Sequence, residues 1–164
     1  VVVVSSDKDL MQLIRPGVRL HDPLKDRPIG EEQVFEKFGV APTKLADLLA
    51  LTGDTSDNVP GIPGVGPKTA AELLGAYGDL ETLLARAAEI KQPKRRETLT
   101  DPESVKLIRL SKQLVELVRN VPLETQLDDL GLHEPDAKKL VAFLQAFVFT
   151  MLSALFINAA IHKH

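Results

Sequence analysis

The sequence predicts a chain that is α/β by origin and mostly α in the part present: a remnant of a parallel sheet, then a helical region. Three observations carry this. Val1-Val2-Val3-Val4 is a β-branched run of the kind that forms a strand buried on both faces of a parallel sheet. Further strand candidates are few, and the best is Val18-Arg19-Leu20-His21. Gly61-Ile62-Pro63-Gly64-Val65-Gly66 is a glycine-rich hairpin with helix-forming sequence on both sides. Parallel neighbours need long crossovers, so the chain is expected to start inside a larger α/β domain whose partner strands precede it.

The elements follow in order. Asp7-Lys8-Asp9 leads from the first strand into a short helical stretch over Leu10–Ile14, stopped by Arg15-Pro16-Gly17. Asp22 to Pro28 is polar and turn-rich and reads as a loop. Gly30-Glu31-Glu32 starts a helix with apolar Val34, Phe35 and Phe38, capped by Gly39. Pro42 opens the next helix, with Leu45, Leu48, Leu49 and Leu51 on its apolar side. Past the hairpin, Pro67 starts a helix to about Ala76, and Tyr77-Gly78-Asp79 separates it from another over 80–88. Lys91 to Pro102, basic then polar, reads as an exposed loop. Ser104 to Val118 reads as an amphipathic helix, Leu123 to His133 as irregular, and Glu134-Pro135-Asp136 as the start of a last helix. From Leu140 to Ile161 no residue is charged. That length suits a bilayer, but Gln145, Thr150, Ser153 and Asn158 dilute the apolar signal, and a core helix with an apolar end is the expectation.

Composition narrows the function. The chain has 164 residues, 44% hydrophobic and 4% aromatic, with no Trp and one Tyr, so base stacking is a poor means of recognition. The absence of Cys excludes disulfides and thiolate metal sites and fits a reducing cytoplasm. A net charge of −3 excludes a globally basic nucleic-acid binder; any DNA contact must be local.

Two carboxylate pairs stand out. Asp7 and Asp9 follow the first strand, where ligands of open α/β sheets bind. Asp54 and Asp57 are three apart at the end of a helix, and i and i+3 are neighbours. Four hard oxygen donors without His or Cys suit Mg²⁺ or Mn²⁺. Two ions about 3.5–4 Å apart serve phosphodiester hydrolysis. Asp-x-Asp after a strand is also an ordinary turn and cap, and Asp54 and Asp57 are also ordinary capping residues.

The hairpin is expected to hold phosphate. Gly64 and Gly66 leave backbone amides accessible, and the following helix start adds free N–H groups, Lys68 a charge and Thr69 a hydroxyl. Ile62 and Val65 would pin the hairpin to its flanking helices. A nucleotide-binding P-loop is excluded because Pro67 separates Gly66 from Lys68 and the preceding segment is helical. A structural Gly-Pro turn is the plainer alternative. Lys91, Lys94, Arg95, Arg96, Lys106, Arg109 and Lys112 are candidates for further phosphate contacts.

Ser6-Asp7-Lys8-Asp9-Leu10-Met11-Gln12-Leu13 and Gly53-Asp54-Thr55-Ser56-Asp57-Asn58-Val59-Pro60, continuing through the hairpin to Ala70, resemble the 5′-nuclease domain of bacterial DNA polymerase I. More distantly they resemble the flap endonucleases. The resemblance runs from Val1 to about Phe149. It implies a metal-dependent 5′→3′ exonuclease and flap endonuclease that removes RNA primers and displaced 5′ strands in replication and repair. It implies Asp7, Asp9, Asp54 and Asp57 as catalytic metal ligands, with two Mg²⁺ or Mn²⁺ ions in an intact domain. It implies a helix–three-turn–helix at about 45–76 whose Gly61, Ile62, Gly64, Val65, Gly66, Lys68 and Thr69 hold duplex DNA, with K⁺ bridging the Ile62 and Val65 carbonyls to a phosphate. The implied partners are duplex DNA with a 5′ flap or nick, an RNA primer–DNA hybrid and a fused polymerase. No small-molecule nucleotide or membrane is implied, and the location is the bacterial cytoplasm with the nucleoid. The domains expected are 1–30, a remnant of the nuclease core; 31–149, a helical DNA-binding subdomain; and 150–164, an atypical apolar tail. The family's N-terminal half, with further metal ligands and the helical arch, has no counterpart here, so the chain alone is expected to cut poorly. A non-catalytic, sequence-independent duplex-binding module is the alternative reading.

Overall fold

The computed structural model describes the backbone of residues 1–132 and 134–161, and the side chains of the same residues apart from 149 and 152–161. It divides into two compact units, Val1–Arg119 and Asn120–His164.

The first unit opens with a three-stranded sheet. β1 (Val2–Val4) pairs in parallel with β2 (Arg19–Asp22), Val3 opposite Leu20. β3 (Arg27–Ile29) returns antiparallel, Leu20 opposite Ile29. The third strand overlaps the end of the Asp22–Pro28 stretch expected to be a loop. Asp22 holds the turn by accepting the Leu24 N–H at 3.0 Å, and Ile29 is buried against the sheet. Pro28 is tolerated because this strand lies at the sheet edge. The expected two-sided burial of the valine run is not found. β1 is the other edge strand, and Val2 and Val4 are exposed because no described element covers those faces. The crossover between β1 and β2 carries a 3₁₀ turn, Asp9–Leu13.

Helices fill the rest of this unit. α1 (Glu31–Phe38) ends at Gly39, whose φ of 73° makes the expected left-handed cap. Its Val34 is buried, but Phe35 is exposed. α2 (Leu45–Thr52) is the axis of the core, with every residue from Leu45 to Leu51 buried. α3 (Pro67–Tyr77) packs beside it and α4 (Leu80–Ala85) packs against α3, with Asp79 capping α4 through the Thr82 N–H at 2.8 Å. Where an exposed loop was expected over 91–102, α5 (Pro93–Thr100) forms instead. Pro93 suits its first turn, and Leu99 is completely buried. One apolar anchor is too few to give a helical period in the sequence. α6 (Pro102–Val115), capped by Asp101, lies against α2. The two are joined by a mostly buried ion pair, Lys112 to Asp47 at 2.5 Å.

The second unit contains a 3₁₀ turn, Leu127–Leu130, and α7 (Ala137–Ile161). Leu140, Phe143, Leu144 and Phe147 on α7 are exposed. No helix among the described residues is long and apolar enough to cross a membrane. The expected tail lies partly outside the described residues.

The hairpin is set by a backbone crossing. α2 ends at Gly53, with φ 73°, and the chain returns at Gly61 against the end of the same helix. The Ile62 N–H donates to the Leu51 carbonyl at 2.9 Å. A Cβ on Gly61 would stand 2.1 Å from the Thr52 carbonyl oxygen, whereas one on Gly66 would meet nothing within 4 Å. Gly61→Ala is therefore expected to destabilise the protein by more than about 3 kcal/mol in urea unfolding. Gly66→Ala is expected to cost about 1 kcal/mol or less. Equal effects of the two would contradict the crossing.

Candidate metal centre and nucleic-acid interface

Between Gly53 and Gly61 the chain makes a closed loop rather than a helix end. Asp54 and Val59 exchange backbone hydrogen bonds of 2.9 and 2.8 Å, and Asn58 takes a φ of 55° inside them. Asp54 and Asp57 thus owe their proximity to this bridge, not to the expected i, i+3 helical spacing. Asp9 comes from the other side, at the start of the 3₁₀ turn after β1.

One carboxylate oxygen from each of Asp9, Asp54 and Asp57 lies within 4.8 Å of the others. Asp7 stands outside that trio. The chain is not extended there, and the Asp7 Oδ1 accepts the Asp9 N–H at 2.9 Å, fixing the turn that aims Asp9.

Two neighbours not anticipated from the sequence complete the cluster. Lys8 Nζ donates to Asp54 Oδ1 at 2.6 Å and also lies 2.6 Å from Oδ2, without the angle for a second hydrogen bond. Ser56 donates its N–H to Asp54 Oδ1 at 3.0 Å, and its hydroxyl is 3.4 Å from Lys8 Nζ. Only the alternation Asp7-Lys8-Asp9 hinted at Lys8. Asp54 Oδ2 and Asp9 Oδ1 are buried and accept no hydrogen bond. Buried acceptors without partners are rare. Asp9 Oδ1 has no partner and Asp54 Oδ2 has only the Lys8 ammonium beside it, and in a trio of hard oxygen donors they fit a divalent cation of the Mg²⁺ or Mn²⁺ kind.

The charges bear on one another. Burial first, then the Asp7 and Asp54 carboxylates, raise the Asp9 carboxyl above its ordinary range. Burial also acts to raise Asp54, but the Lys8 ammonium and the Ser56 N–H outweigh it and leave Asp54 lowered. Lys8 is raised, chiefly by its hydrogen bond to Asp54.

The hairpin lies directly after the loop. Ile62 to Val65 is a tight turn, with the Val65 N–H donating to the Ile62 carbonyl at 3.1 Å and Gly64 at φ 80°. The Ile62 and Val65 side chains are buried, as expected of pins. Gly64, Gly66 and Lys68 are exposed and Thr69 is half-buried. α3 begins with Pro67 and has no side-chain cap, so the first-turn N–H groups of Lys68 and Thr69 are open to a ligand. A cleft of about 230 Å³ runs from Pro63 and Gly64 to Lys94 and Arg95 on α5. The candidate basic track divides here. Arg109 pairs with Glu81 at 2.7 Å, Lys112 with Asp47, and Arg96 donates to the Ile90 carbonyl at 3.2 Å, whereas Lys94 and Arg95 border the hairpin.

Opposite pH behaviour is expected of the two buried carboxylates. The folded pKa of Asp9 is raised, so its contribution to stability is present below its ordinary 3.8 and lost as pH rises through the folded value. Asp54 is lowered, so its contribution is present above 3.8 and lost as pH falls through its folded value. In chelator at pH 7, Asp9→Asn should raise the melting temperature and Asp54→Asn should lower it. Both differences should shrink toward pH 3. The reverse order at pH 7 would contradict these electrostatics.

Comparison with known proteins gives the family. The chain is 56% identical over 153 residues to DNA polymerase I of Rhizobium leguminosarum, covering 93% of the chain and 15% of that protein. It is 41% identical over 145 residues to the 5′-3′ exonuclease of Aquifex aeolicus, covering 88% of the chain and 48% of that protein. The chain thus spans about half, or far less, of the length of these relatives. Its fold matches that of the 5′-exonuclease of phage T5 solved with zinc bound, at a TM-score of 0.64 and 22% identity over 70% of this chain and 42% of that one. The same phage enzyme has been solved as a flap endonuclease with DNA and metal ions, and matches at a TM-score of 0.63. The model of the 5′-3′ exonuclease C-terminal domain with the SAM fold matches residues 40–138, and the chain belongs to that family.

Proposed function

We propose that this chain is the part of a 5′ nuclease that grips duplex DNA and supplies one side of its metal centre. The observation that carries this is the convergence of Asp9, Asp54 and Asp57, two of them with buried oxygens that accept no hydrogen bond, beside a loop that runs straight into the glycine hairpin. The protein acts as a 5′→3′ exonuclease and flap endonuclease on duplex DNA with a 5′ flap or nick, including RNA primer–DNA hybrids. It works beside a fused polymerase, in the bacterial cytoplasm with the nucleoid. The relatives' names, the phage enzyme solved with DNA and metal, and the site geometry support the reading.

In this mechanism Asp9, Asp54 and Asp57 would hold the metal, and Asp7 positions Asp9 and would serve as a further carboxylate ligand. When bound, Mg²⁺ or Mn²⁺ supplies an activated water and stabilises the oxygen that leaves phosphorus. The chain does the rest by placement. Gly64, Gly66 and the first turn of α3 offer N–H groups to a phosphate, and Lys68 and Thr69 add a charge and a hydroxyl. The Ile62 carbonyl keeps one lone pair beyond its turn hydrogen bond, and with the Val65 carbonyl it suits a monovalent cation such as K⁺. Contacts of this kind fix the position of the duplex without reading its sequence.

Two variants separate catalysis from binding in the protein at its natural length. Asp57→Asn should lower cutting of a 5′-flap substrate by at least about a hundredfold, with DNA affinity in chelator unchanged. Cutting at the normal rate would remove Asp57 from the chemistry. Gly66→Val with Lys68→Ala should weaken duplex binding and flatten the slope of log affinity against log salt by about 1. An unchanged salt slope would place the contact elsewhere. The non-catalytic binding module would be favoured if the protein binds flaps but never cuts them with Mg²⁺ or Mn²⁺.

A further inference from the structure

Lys8 sits between two candidate ligands, Asp7 and Asp9, and its side chain reaches a third. Its ammonium lies 2.6 Å from both oxygens of Asp54 and 3.4 Å from the Ser56 hydroxyl. Asp54 is the most deeply buried acid of the trio, with 3% of its side chain exposed, while Lys8 keeps 33% exposed. The buried carboxylate is therefore fixed by the fold, and the amine that covers it reaches it along a flexible four-carbon stem open to solvent.

Asp54 Oδ2 is also one of the two buried oxygens of the trio that accept no hydrogen bond. A divalent ion bound at that oxygen and an ammonium 2.6 Å from the same oxygen would stand close enough to repel each other. An ion at Oδ2 therefore favours a position of the ammonium further from Asp54. Without a counter-charge, three carboxylates this close would repel across a partly buried site. Lys8 supplies that charge from within the chain.

We propose that Lys8 is an exchangeable counter-ion of the carboxylate cluster: it holds Asp54 while no divalent ion is bound and yields Asp54 when one binds. This rests on the metal-centre reading above and assigns Lys8 a positioning role rather than one at the reacting atoms. The amine keeps the cluster assembled, at the cost of a weaker apparent affinity for the ion.

The test is equilibrium binding of Mn²⁺, by electron paramagnetic resonance, to the protein at its natural length after removal of metal. Lys8→Met, which keeps the stem and loses the charge, should bind Mn²⁺ about three- to tenfold more tightly than wild type. Lys8→Arg, which keeps the competing charge, should stay within about twofold of wild type. In chelator Lys8→Met should melt lower than wild type, and added Mn²⁺ should raise its melting temperature by more. Lys8→Gln serves as the neutral variant if Lys8→Met does not fold. Equal or weaker Mn²⁺ binding by the folded neutral variant would overturn the proposal. The double variant Asp54→Asn/Asp57→Asn separates the two levels, because it should lose this binding. If it binds Mn²⁺ like wild type, the ion is not at the cluster and the metal-centre reading falls as well.

Discussion

The site depends on one close backbone approach, Gly53 against Gly61. The distance between the two strands of this crossing leaves no space for a side chain on either residue. Drawing them together forces residues 54–60 into a small closed loop, which the Asp54–Val59 bridge locks. One side of that loop presents Asp54 and Asp57; its far end releases the chain into the hairpin. The spacing between the hairpin and the carboxylates is thus fixed by a covalent span of a few residues, not by a flexible linker.

A single helix braces both parts. Ser111 on α6 donates its hydroxyl to the Pro60 carbonyl at 2.8 Å, steadying the start of the hairpin. At the end of the same helix, the Val115 carbonyl accepts the Gln12 amide at 2.8 Å, and Arg119 donates to the Gln12 carbonyl at 2.9 Å. Gln12 lies in the 3₁₀ turn that begins with Asp9. The Lys112–Asp47 pair ties α6 to the core helix α2 between these anchors. Buried polar contacts of this kind are weak evidence of net stability but strong evidence of fixed geometry.

Much of this was legible in the sequence, for physical reasons that differ by element. The glycine hairpin and its two helices were readable because turn chemistry is local: Pro63-Gly64 demands its turn and Pro67 suits a helix start. The carboxylates were readable as residue types, but their arrangement was not. Asp54 and Asp57 lie in a loop closed by the Asp54–Val59 backbone bridge that no periodicity announces, and Asp7 accepts the Asp9 N–H in a local turn. Lys8 could not be placed at all, because its partner is 46 residues away. α5 and β3 were missed for the opposite reason: each is anchored by one buried residue, Leu99 or Ile29, in an otherwise polar stretch. The valine run of β1 was read as buried from its composition, whereas burial depends on what lies against it.

The account is tested most directly by locating a bound ion. Crystals of the protein at its natural length, soaked in Mn²⁺, should show an anomalous-scattering peak among Asp9, Asp54 and Asp57, with carboxylate oxygens at about 2.1 Å. The peak should lie against Asp54 Oδ2 and Asp9 Oδ1, the buried oxygens that accept no hydrogen bond. A site saturated with Mn²⁺ elsewhere, with these three carboxylates unliganded, would contradict the account.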